Sequence, residues 1–309
     1  MKVLIAPGSF KESLTASDVA RCVAHEARAA GCAVDVAPLA DGGEGTLAAL
    51  REPLGLRMVA SDVRGMLGEP VRARFGLRQG RAVIEIAEVV GLALLPPSAR
   101  DAFRADTRGV GELMNEAVNA GAHDLLIALG GSGTVDGGAG MLAEYRGGAR
   151  SLTALVDVDV PLAGARLFAR QKLGLAQRDV PDSVVDAHVD AMVRRFDDAV
   201  AARPGAGAAG GLGAALASLG ASLVPGARFV FGPSGRVPDA DGTSALYVTA
   251  LGCSGPRRND YTFDHPAEQV TVAVSAGPTA DTRRMDFDAQ FAGPSGEQHV
   301  TGSFVFDTQ

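Results

Sequence analysis

The chain has 309 residues, of which 47% are hydrophobic and 21% charged, a balance typical of a globular protein with about two domains. The formal net charge of −7 disfavours nucleic acid as a partner, because phosphate backbones are bound by basic surfaces. Its apolar runs fall well short of the roughly 18 residues that a membrane span needs, and no signal peptide is apparent, so we expect a cytoplasmic protein without a membrane partner.

The first predicted elements form a βαβ unit. Residues 2–6 and 34–39 have the apolar character of short strands, and a helix between them begins at the capping sequence of residues 15–18. Two strands connected through a helix predict a parallel sheet that is covered by helices.

The same alternation of strands and helices continues to about residue 232. The apolar spacing predicts strands over residues 82–87 and 124–129 and helices over residues 107–121, 183–202 and 212–219. We therefore assign this part of the chain to the α/β class.

The last part of the chain has a different pattern. Four short runs alternate apolar and polar residues, at 244–251, 269–276, 284–291 and 298–306. Because no helical stripe separates these runs, they predict a small antiparallel β unit that begins near residue 236.

An acidic, glycine-rich loop follows the second predicted strand at residues 40–46. Asp41 and Glu44 flank Gly42 and Gly43, whose bare backbone lets a ligand approach closely. Ligands of open α/β sheets bind beyond the carboxyl ends of the strands, which is where this loop lies. A tight turn with Asp41 as a helix cap is the alternative, and the residues alone leave both interpretations open.

A second glycine-rich loop follows the predicted strand at residues 124–129. Its hydroxyl, carboxylate and glycine groups suit phosphate oxygens and a Mg²⁺ ion, and they belong to Gly130, Gly131, Ser132, Thr134, Asp136, Gly137 and Gly138. The loop lacks the lysine of a P-loop and the last glycine of a hydrolase elbow, so neither of those sites is indicated. The carboxylate of Asp136 is the predicted Mg²⁺ ligand.

Two further features are ambiguous. Gly205, Gly207 and Gly210 match the G-x-G-x-x-G pattern, but a predicted helix precedes them where a dinucleotide site needs a strand. This run can bind phosphate or simply pack closely, and both interpretations stay open. Lys11 follows the first strand and could neutralise a transferring phosphoryl group, although a solvated lysine is the simpler interpretation of its position.

Together these segments resemble the glycerate kinase family. Matching segments occur in the family's order at residues 5–11, 38–46, 107–113, 129–140, 157–164, 171–172 and 204–213. The resemblance implies two α/β domains, one Rossmann-like and built from both ends of the chain, the other inserted into it. We accordingly expect domains at residues 1–75 and 76–235, followed by an atypical β-rich tail at residues 236–309.

The resemblance also implies ATP, Mg²⁺ and D-glycerate as ligands, and a phosphoglycerate product with the 2-phosphate favoured. Asp41 or Glu44 would orient the attacking hydroxyl group or hold the metal, and Lys11 would offset the developing charge. Arg64 would bind the substrate carboxylate, and Ser9 would join the second glycine loop in binding phosphate. We also allow for a homodimer.

Several positions depart from the family's pattern. Gly8 stands where the family usually has Asp, Glu12 where it has Gly, and Leu173 interrupts a Q-K-G run. The segment after Glu144 is shorter, and the acidic C-terminal segment that completes the family's Rossmann-like domain has no counterpart. Two functions therefore stand side by side: an ATP-dependent glycerate kinase, and a non-catalytic relative that binds ligands or partners.

Overall fold

The computed structural model describes residues 2–5, 7–9, 15–29, 31–231, 269–276, 282–293 and 296–307. The chain divides into two units, one made of Met1–Leu39 with Arg236–Gln309 and the other of Ala40–Gly235. No helix within the described ranges is long and apolar enough to cross a membrane.

The described residues contain eleven strands. They are β1 (Lys2–Ile5), β2 (Ala33–Val36), β3 (Arg57–Arg64), β4 (Pro70–Arg78), β5 (Arg81–Glu85), β6 (Asp124–Ala128), β7 (Ser151–Val156), β8 (Ser222–Pro225), β9 (Gln269–Ala276), β10 (Thr282–Gly293) and β11 (Gly296–Asp307).

The same residues contain ten α-helices. They are α1 (Ala16–Ala29), α2 (Thr46–Arg51), α3 (Ala87–Val90), α4 (Arg108–Asn119), α5 (Ala139–Glu144), α6 (Arg166–Ala169), α7 (Asp182–Val193), α8 (Asp198–Ala201), α9 (Ala208–Ser218) and α10 (Gly226–Phe231). Short 3₁₀ turns lie at Leu92–Leu94, Leu162–Ala165, Arg170–Lys172 and Leu175–Gln177.

The predicted βαβ unit is present in the first unit. Strands β1 and β2 pair in parallel, and α1 connects them. The hydroxyl of Thr15 accepts a hydrogen bond of 3.1 Å from the backbone N–H of Asp18, which caps the start of α1 as the sequence predicts. Ala20 and Ala24 of this helix are buried in one cluster with Ile5.

The described part of the tail is an antiparallel sheet. Strand β10 pairs with β9 on one side and β11 on the other, in the order β11-β10-β9. These strands correspond to the predicted runs at residues 269–276, 284–291 and 298–306, while the run at 244–251 lies outside the described residues. Within the described ranges, the three strands pair only with one another.

The second unit is built on a six-stranded mixed sheet with the order β3-β4-β5-β6-β7-β8. Strands β5 to β8 are parallel, and β3 and β4 extend the sheet by antiparallel pairing. The α/β class is therefore confirmed. The boundary expected at residue 75 falls inside β4, where buried Phe75 pairs with Ile84 of β5, so the structure assigns residues 57–75 to this sheet.

Helices cover both faces of the parallel strands. On one face, Val110 and Leu113 of α4 and Leu212 of α9 share a buried cluster with Ile84 and Ile127. The opposite face has a second cluster, whose members include Leu47 and Leu50 of α2 together with Val83, Leu126 and Leu155. Alternate residues of each strand thus point to opposite faces, as a sheet buried on both sides requires.

The helix predicted over residues 183–202 is two helices, α7 and α8. The break lies at Asp197, which has an extended backbone and accepts a hydrogen bond of 2.8 Å from the backbone N–H of Val200. Asp197 is therefore an N-cap that begins a new helix, although the apolar spacing continues across it.

Candidate functional site

The candidate site lies at the carboxyl ends of the parallel strands of the second unit. Glu85 ends β5, Gly130 follows β6 and Asp157 follows β7, and these strands are neighbours in the sheet. Because the strands are parallel, the three residues lie along one edge, where open α/β sheets bind their ligands.

The two glycine-rich loops predicted from the sequence meet at this edge. The backbone N–H of Gly130 donates to the carbonyl of Gly42 at 2.9 Å. A Cβ atom at Gly130 would overlap the Cα atom of Gly43, so that the two backbones approach as only glycine permits. The loop at residues 40–46 and the loop that begins at Gly130 therefore form one continuous surface.

Both carboxylate residues of the first loop are exposed at this surface. Asp41 accepts a hydrogen bond of 3.1 Å from the backbone N–H of Gly43, so the turn of the alternative interpretation is present, but the N-cap position of α2 belongs to Gly45 and not to Asp41. The Cβ atom of Glu44 lies 3.7 Å from the position of a Cβ atom on Gly131. The structure thus brings Asp41, Glu44, Gly42 and Gly43 beside the second loop.

Glu85 binds the backbone of the first loop, a role that was not predicted from the sequence. Its carboxylate accepts hydrogen bonds of 2.9 Å from the N–H of Gly45 and 2.8 Å from that of Leu47, at the start of α2. The residue is only 5% exposed, and burial raises the pKa of its carboxyl to about 7, although the two backbone donors oppose the shift. Gly45 supplies no side-chain cap of its own, so Glu85 takes that place.

The hydroxyl groups of the second loop are buried and bonded to each other. The Oγ atom of Ser132 and the Oγ1 atom of Thr134 are 2.9 Å apart, and Ser132 Oγ also accepts the N–H of Thr134 at 3.1 Å. Gly131 is exposed beside them. The loop therefore presents the backbone of Gly131 to solvent, while its hydroxyls stabilise the turn.

The carboxylate of Asp136 is occupied by protein donors. It accepts hydrogen bonds from the N–H and hydroxyl of Thr107 at 3.0 and 2.8 Å, from the N–H of Gly138 at 3.0 Å and from that of Gly140 at 3.0 Å. Three of these bonds are to the Oδ2 atom and one is to Oδ1, so protein donors take most of the acceptor capacity of this carboxylate. This geometry argues against the predicted Mg²⁺ role of Asp136 and for a structural one.

The backbone N–H groups of Gly137 and Gly138 are likewise hydrogen-bonded within the protein. The N–H of Gly137 donates to the carbonyl of Gly210 at 3.0 Å, and that of Gly138 donates to Asp136. The predicted phosphate contact through these two N–H groups is therefore not supported. A Cβ atom at Gly210 would overlap the carbonyl of Thr134, so the third glycine run packs against the second loop, the close-packing interpretation.

Lys172 reaches the second loop from the 3₁₀ turn at Arg170–Lys172. Its Nζ atom donates to the carbonyl of Thr134 at 2.8 Å. Burial lowers the pKa of this lysine to about 8, while the negative charges of Asp157 and Asp136 act in the opposite direction. Lys172 belongs to a segment that matches the family pattern. No motif near residue 172 in the sequence, however, indicates that this lysine contacts Thr134.

Arg64, predicted to bind the substrate carboxylate, is already paired with two glutamates. Its Nε atom lies 2.6 Å from Glu112 and its Nη2 atom 2.7 Å from Glu144. The hydrogen bond from Arg64 holds the pKa of the Glu144 carboxyl below its usual value. This pairing argues against Arg64 as the substrate-binding cation.

Two residues that were predicted to take part in the site remain, Lys11 and Ser9. Lys11 lies outside the described residues, and Ser9 lies in the first unit, after β1. In the part of the chain that the structure describes, no three His, Cys, Asp or Glu side chains lie close enough together to hold a metal ion by themselves.

Comparisons with known proteins agree with the resemblance. The model of the glycerate kinase family matches residues 3–150 and 143–253, so the similarity extends past residue 232, the expected end of the resemblance. A Bacillus subtilis glycerate kinase is 38% identical over 318 residues, which cover 89% of this chain and 82% of that protein. An Escherichia coli glycerate 2-kinase is 36% identical over 273 residues, covering 74% of this chain and 71% of the relative.

A solved structure is also similar. A crystal structure assigned to glycerate kinase 2 of Salmonella typhimurium LT2 has 33% sequence identity and a TM-score of 0.58, and the match covers 74% of each chain. The family model spans well over half of the chain, and several relatives are more than 30% identical. The chain therefore belongs to the glycerate kinase family.

Proposed function

We propose that the protein transfers a phosphoryl group from ATP to D-glycerate, with 2-phosphoglycerate and ADP as products. The observation that carries the proposal is the contact between Gly42 and Gly130, which joins the two loops typical of the family at the ligand-binding edge of the sheet. The names of the relatives, glycerate kinase and glycerate 2-kinase, support the acceptor and the position of transfer.

Phosphoryl transfer depends mainly on positioning and on neutralising charge, with little covalent chemistry from the protein. Asp41 and Glu44 are exposed carboxylates on the joined surface, and one of them orients the attacking hydroxyl group and accepts its proton. Gly131 is exposed on this surface and has no side chain, so a phosphate can approach its backbone, while buried Gly43 and Gly130 let the two loops meet.

The residues at this edge also fit a Mg²⁺ ion. Asp41, Glu44 and Asp157 are exposed, and carboxylate oxygens are the ligands that Mg²⁺ prefers. Protein sites commonly supply one or two carboxylates and leave the remaining positions to substrate phosphates and water, so a cluster of three protein ligands is not needed. Bound there, Mg²⁺ would neutralise phosphate charge, and Asp136 would not be among its ligands.

A coupled assay tests the proposal. Purified protein with ATP, Mg²⁺ and D-glycerate should release ADP, measured through NADH oxidation, and ³¹P NMR should identify the product as the 2-phosphate. Omission of glycerate and replacement with L-glycerate are the controls. Release of ADP that does not depend on D-glycerate would contradict the proposal, and a 3-phosphate product would contradict the position of transfer.

The non-catalytic alternative has one observation in its favour. Within the described ranges, β9, β10 and β11 pair only with one another, whereas the family resemblance implies a C-terminal part that completes the Rossmann-like domain. Calorimetry distinguishes the two functions: heat of binding for D-glycerate or ATP without any turnover in the coupled assay would favour a binding protein.

A further inference from the structure

Lys172 is a buried ammonium group beside the candidate site. The residue is 7% exposed, and its Nζ atom donates to the backbone carbonyl of Thr134 at 2.8 Å. Lysine is among the residues that are rarely buried, because removal of the charge from water costs free energy unless partners replace the solvent. The position of this lysine therefore needs a reason beyond filling the core.

Groups from two different loops at the edge of the sheet act on Lys172, one through a hydrogen bond and the other through its charge. Thr134 lies in the loop after β6, and Asp157 follows β7 directly. The charges of Asp157 and Asp136 both act on Lys172, and Asp136 is already occupied by backbone and hydroxyl donors. An Oδ2 atom of Asp157 lies 2.9 Å from the position of a Cβ atom on Gly130, so Asp157 borders the joined loops.

The neighbouring carbonyl groups of the loop are held in the same manner. The Nε2 atom of His188 lies 2.8 Å from the carbonyl oxygen of Val135, and Nη2 of Arg195 donates to the carbonyls of Asp136 and Gly137 at 2.7 and 3.2 Å. Because a trans peptide points its C=O and the next N–H in opposite directions, these contacts fix the orientation of each peptide plane. Arg195 is exposed, which makes it a control for the buried lysine.

We propose that Lys172 is a positioning residue for phosphoryl transfer, which holds the Thr134 carbonyl and the Asp157 carboxylate in one fixed arrangement at the edge of the sheet. Lys172 acts through these two groups and does not touch the substrates. The inference rests on the proposed function, because the arrangement matters only if this edge is where the phosphoryl group is transferred. A neutral side chain would avoid the cost of burying a charge, so the ammonium is retained for the arrangement that it imposes.

The test compares three single variants with the wild-type protein in the glycerate-dependent assay. Lys172→Met keeps an unbranched apolar side chain and removes the Nζ atom with its charge and donors. Lys172→Arg keeps the charge. Arg195→Met removes an exposed donor to the same loop. We expect Lys172→Met to lower kcat on the order of 10²-fold with KM for ATP changed by less than about threefold, the size expected for misplaced catalytic groups. Lys172→Arg should recover part of kcat, and Arg195→Met should stay within about threefold of wild type.

A double-mutant cycle with Asp157→Asn separates positioning from support of the fold. If Lys172 acts through Asp157, the double variant should be about as slow as the slower single variant, because the second change removes an arrangement that is already lost. Additive losses, a kcat of Lys172→Met close to wild type, or failure of both Lys172 variants to fold would each overturn the inference. An inactive wild-type protein would instead overturn the proposed function, and this inference with it.

Discussion

The backbone N–H of Gly130 donates to the carbonyl of Gly42 across 2.9 Å, which brings together two loops that are almost ninety residues apart in the chain. The contact leaves no room for a side chain at Gly130. A Cβ atom at Gly130 would overlap Gly43, whereas a Cβ atom at Gly43 would stay 3.6 Å from the Cα atom of Gly130 and would lie 3.1 Å from Oδ1 of Asp41.

Gly130→Ala should therefore separate the loops, while Gly43→Ala should not. We expect Gly130→Ala to lower the free energy of unfolding by roughly 1–3 kcal/mol, as overpacking does, and to reduce kcat/KM strongly. Gly43→Ala is the matched control from the opposite side of the contact and should lower the free energy of unfolding less. Urea unfolding and the coupled assay check both variants, and equal losses would contradict the steric argument.

Asp41→Asn should reduce turnover and leave the fold intact. The amide oxygen of asparagine can still accept the N–H of Gly43, so the turn is kept while the negative charge is lost. Loss of a group that acts in the transition state lowers kcat by a factor on the order of 10². The melting temperature is the control, and a variant with wild-type kcat would remove Asp41 from the mechanism.

Asp136→Ala should destabilise the protein without changing its response to Mg²⁺. The substitution leaves the N–H groups of Gly138 and Gly140 and both donors of Thr107 without their acceptor. We expect a loss of about 4 kcal/mol or more in the free energy of unfolding, because four donors lose their acceptor and each unpaired buried donor costs about 1–3 kcal/mol. The Mg²⁺ concentration for half-maximal activity is the second measurement, and an increase of tenfold would restore Asp136 as a metal ligand.

Glu85→Gln should remove a pH dependence of stability. The carboxyl has a pKa of about 7 in the folded protein against an ordinary value of 4.5, so the folded state binds this proton more tightly than the unfolded state. Its contribution to stability is complete below pH 4.5 and is lost as the pH rises through 7, by about 3 kcal/mol in all.

The measurement is the free energy of unfolding of wild type and Glu85→Gln between pH 4.5 and pH 8. Because Gln does not titrate, the difference between the two proteins should change in favour of the variant as the pH rises. Glu116→Gln, at an exposed carboxylate of α4, is the control for a Glu-to-Gln substitution outside the core. A constant difference between wild type and Glu85→Gln across this pH range would show that burial of Glu85 does not affect its protonation.

Local sequence patterns were sufficient to predict the helices and strands that depend on neighbouring residues. The capping sequence at Thr15 and the apolar spacing after it predicted the first βαβ unit, and the alternation at residues 269–276 predicted β9 with the bounds that the structure shows. The break at Asp197 was not predicted, because the apolar spacing continues across it and indicates one helix, although the Asp197 side chain caps a new one.

The roles of the charged side chains could not be predicted, because their partners are distant in the chain. Asp136 accepts its donors from Thr107, 29 positions earlier, and Glu85 binds Leu47, 38 positions earlier. A carboxylate among glycines looks the same in the sequence whether a metal ion or a hydroxyl group occupies it. The pairing of Arg64 with Glu112, 48 positions later, is hidden for the same reason.

The six-residue helix α2 has a consequence for the order in which the site assembles. A helix as short as Thr46–Arg51 is not stable alone in water. The N–H groups at its start donate to Glu85, which lies on β5, later in the sequence. The acidic loop can thus adopt its shape only after β5 has joined the sheet. A peptide of residues 40–51 would carry the acidic glycine-rich motif without the carboxylate of Glu85 that holds the start of α2.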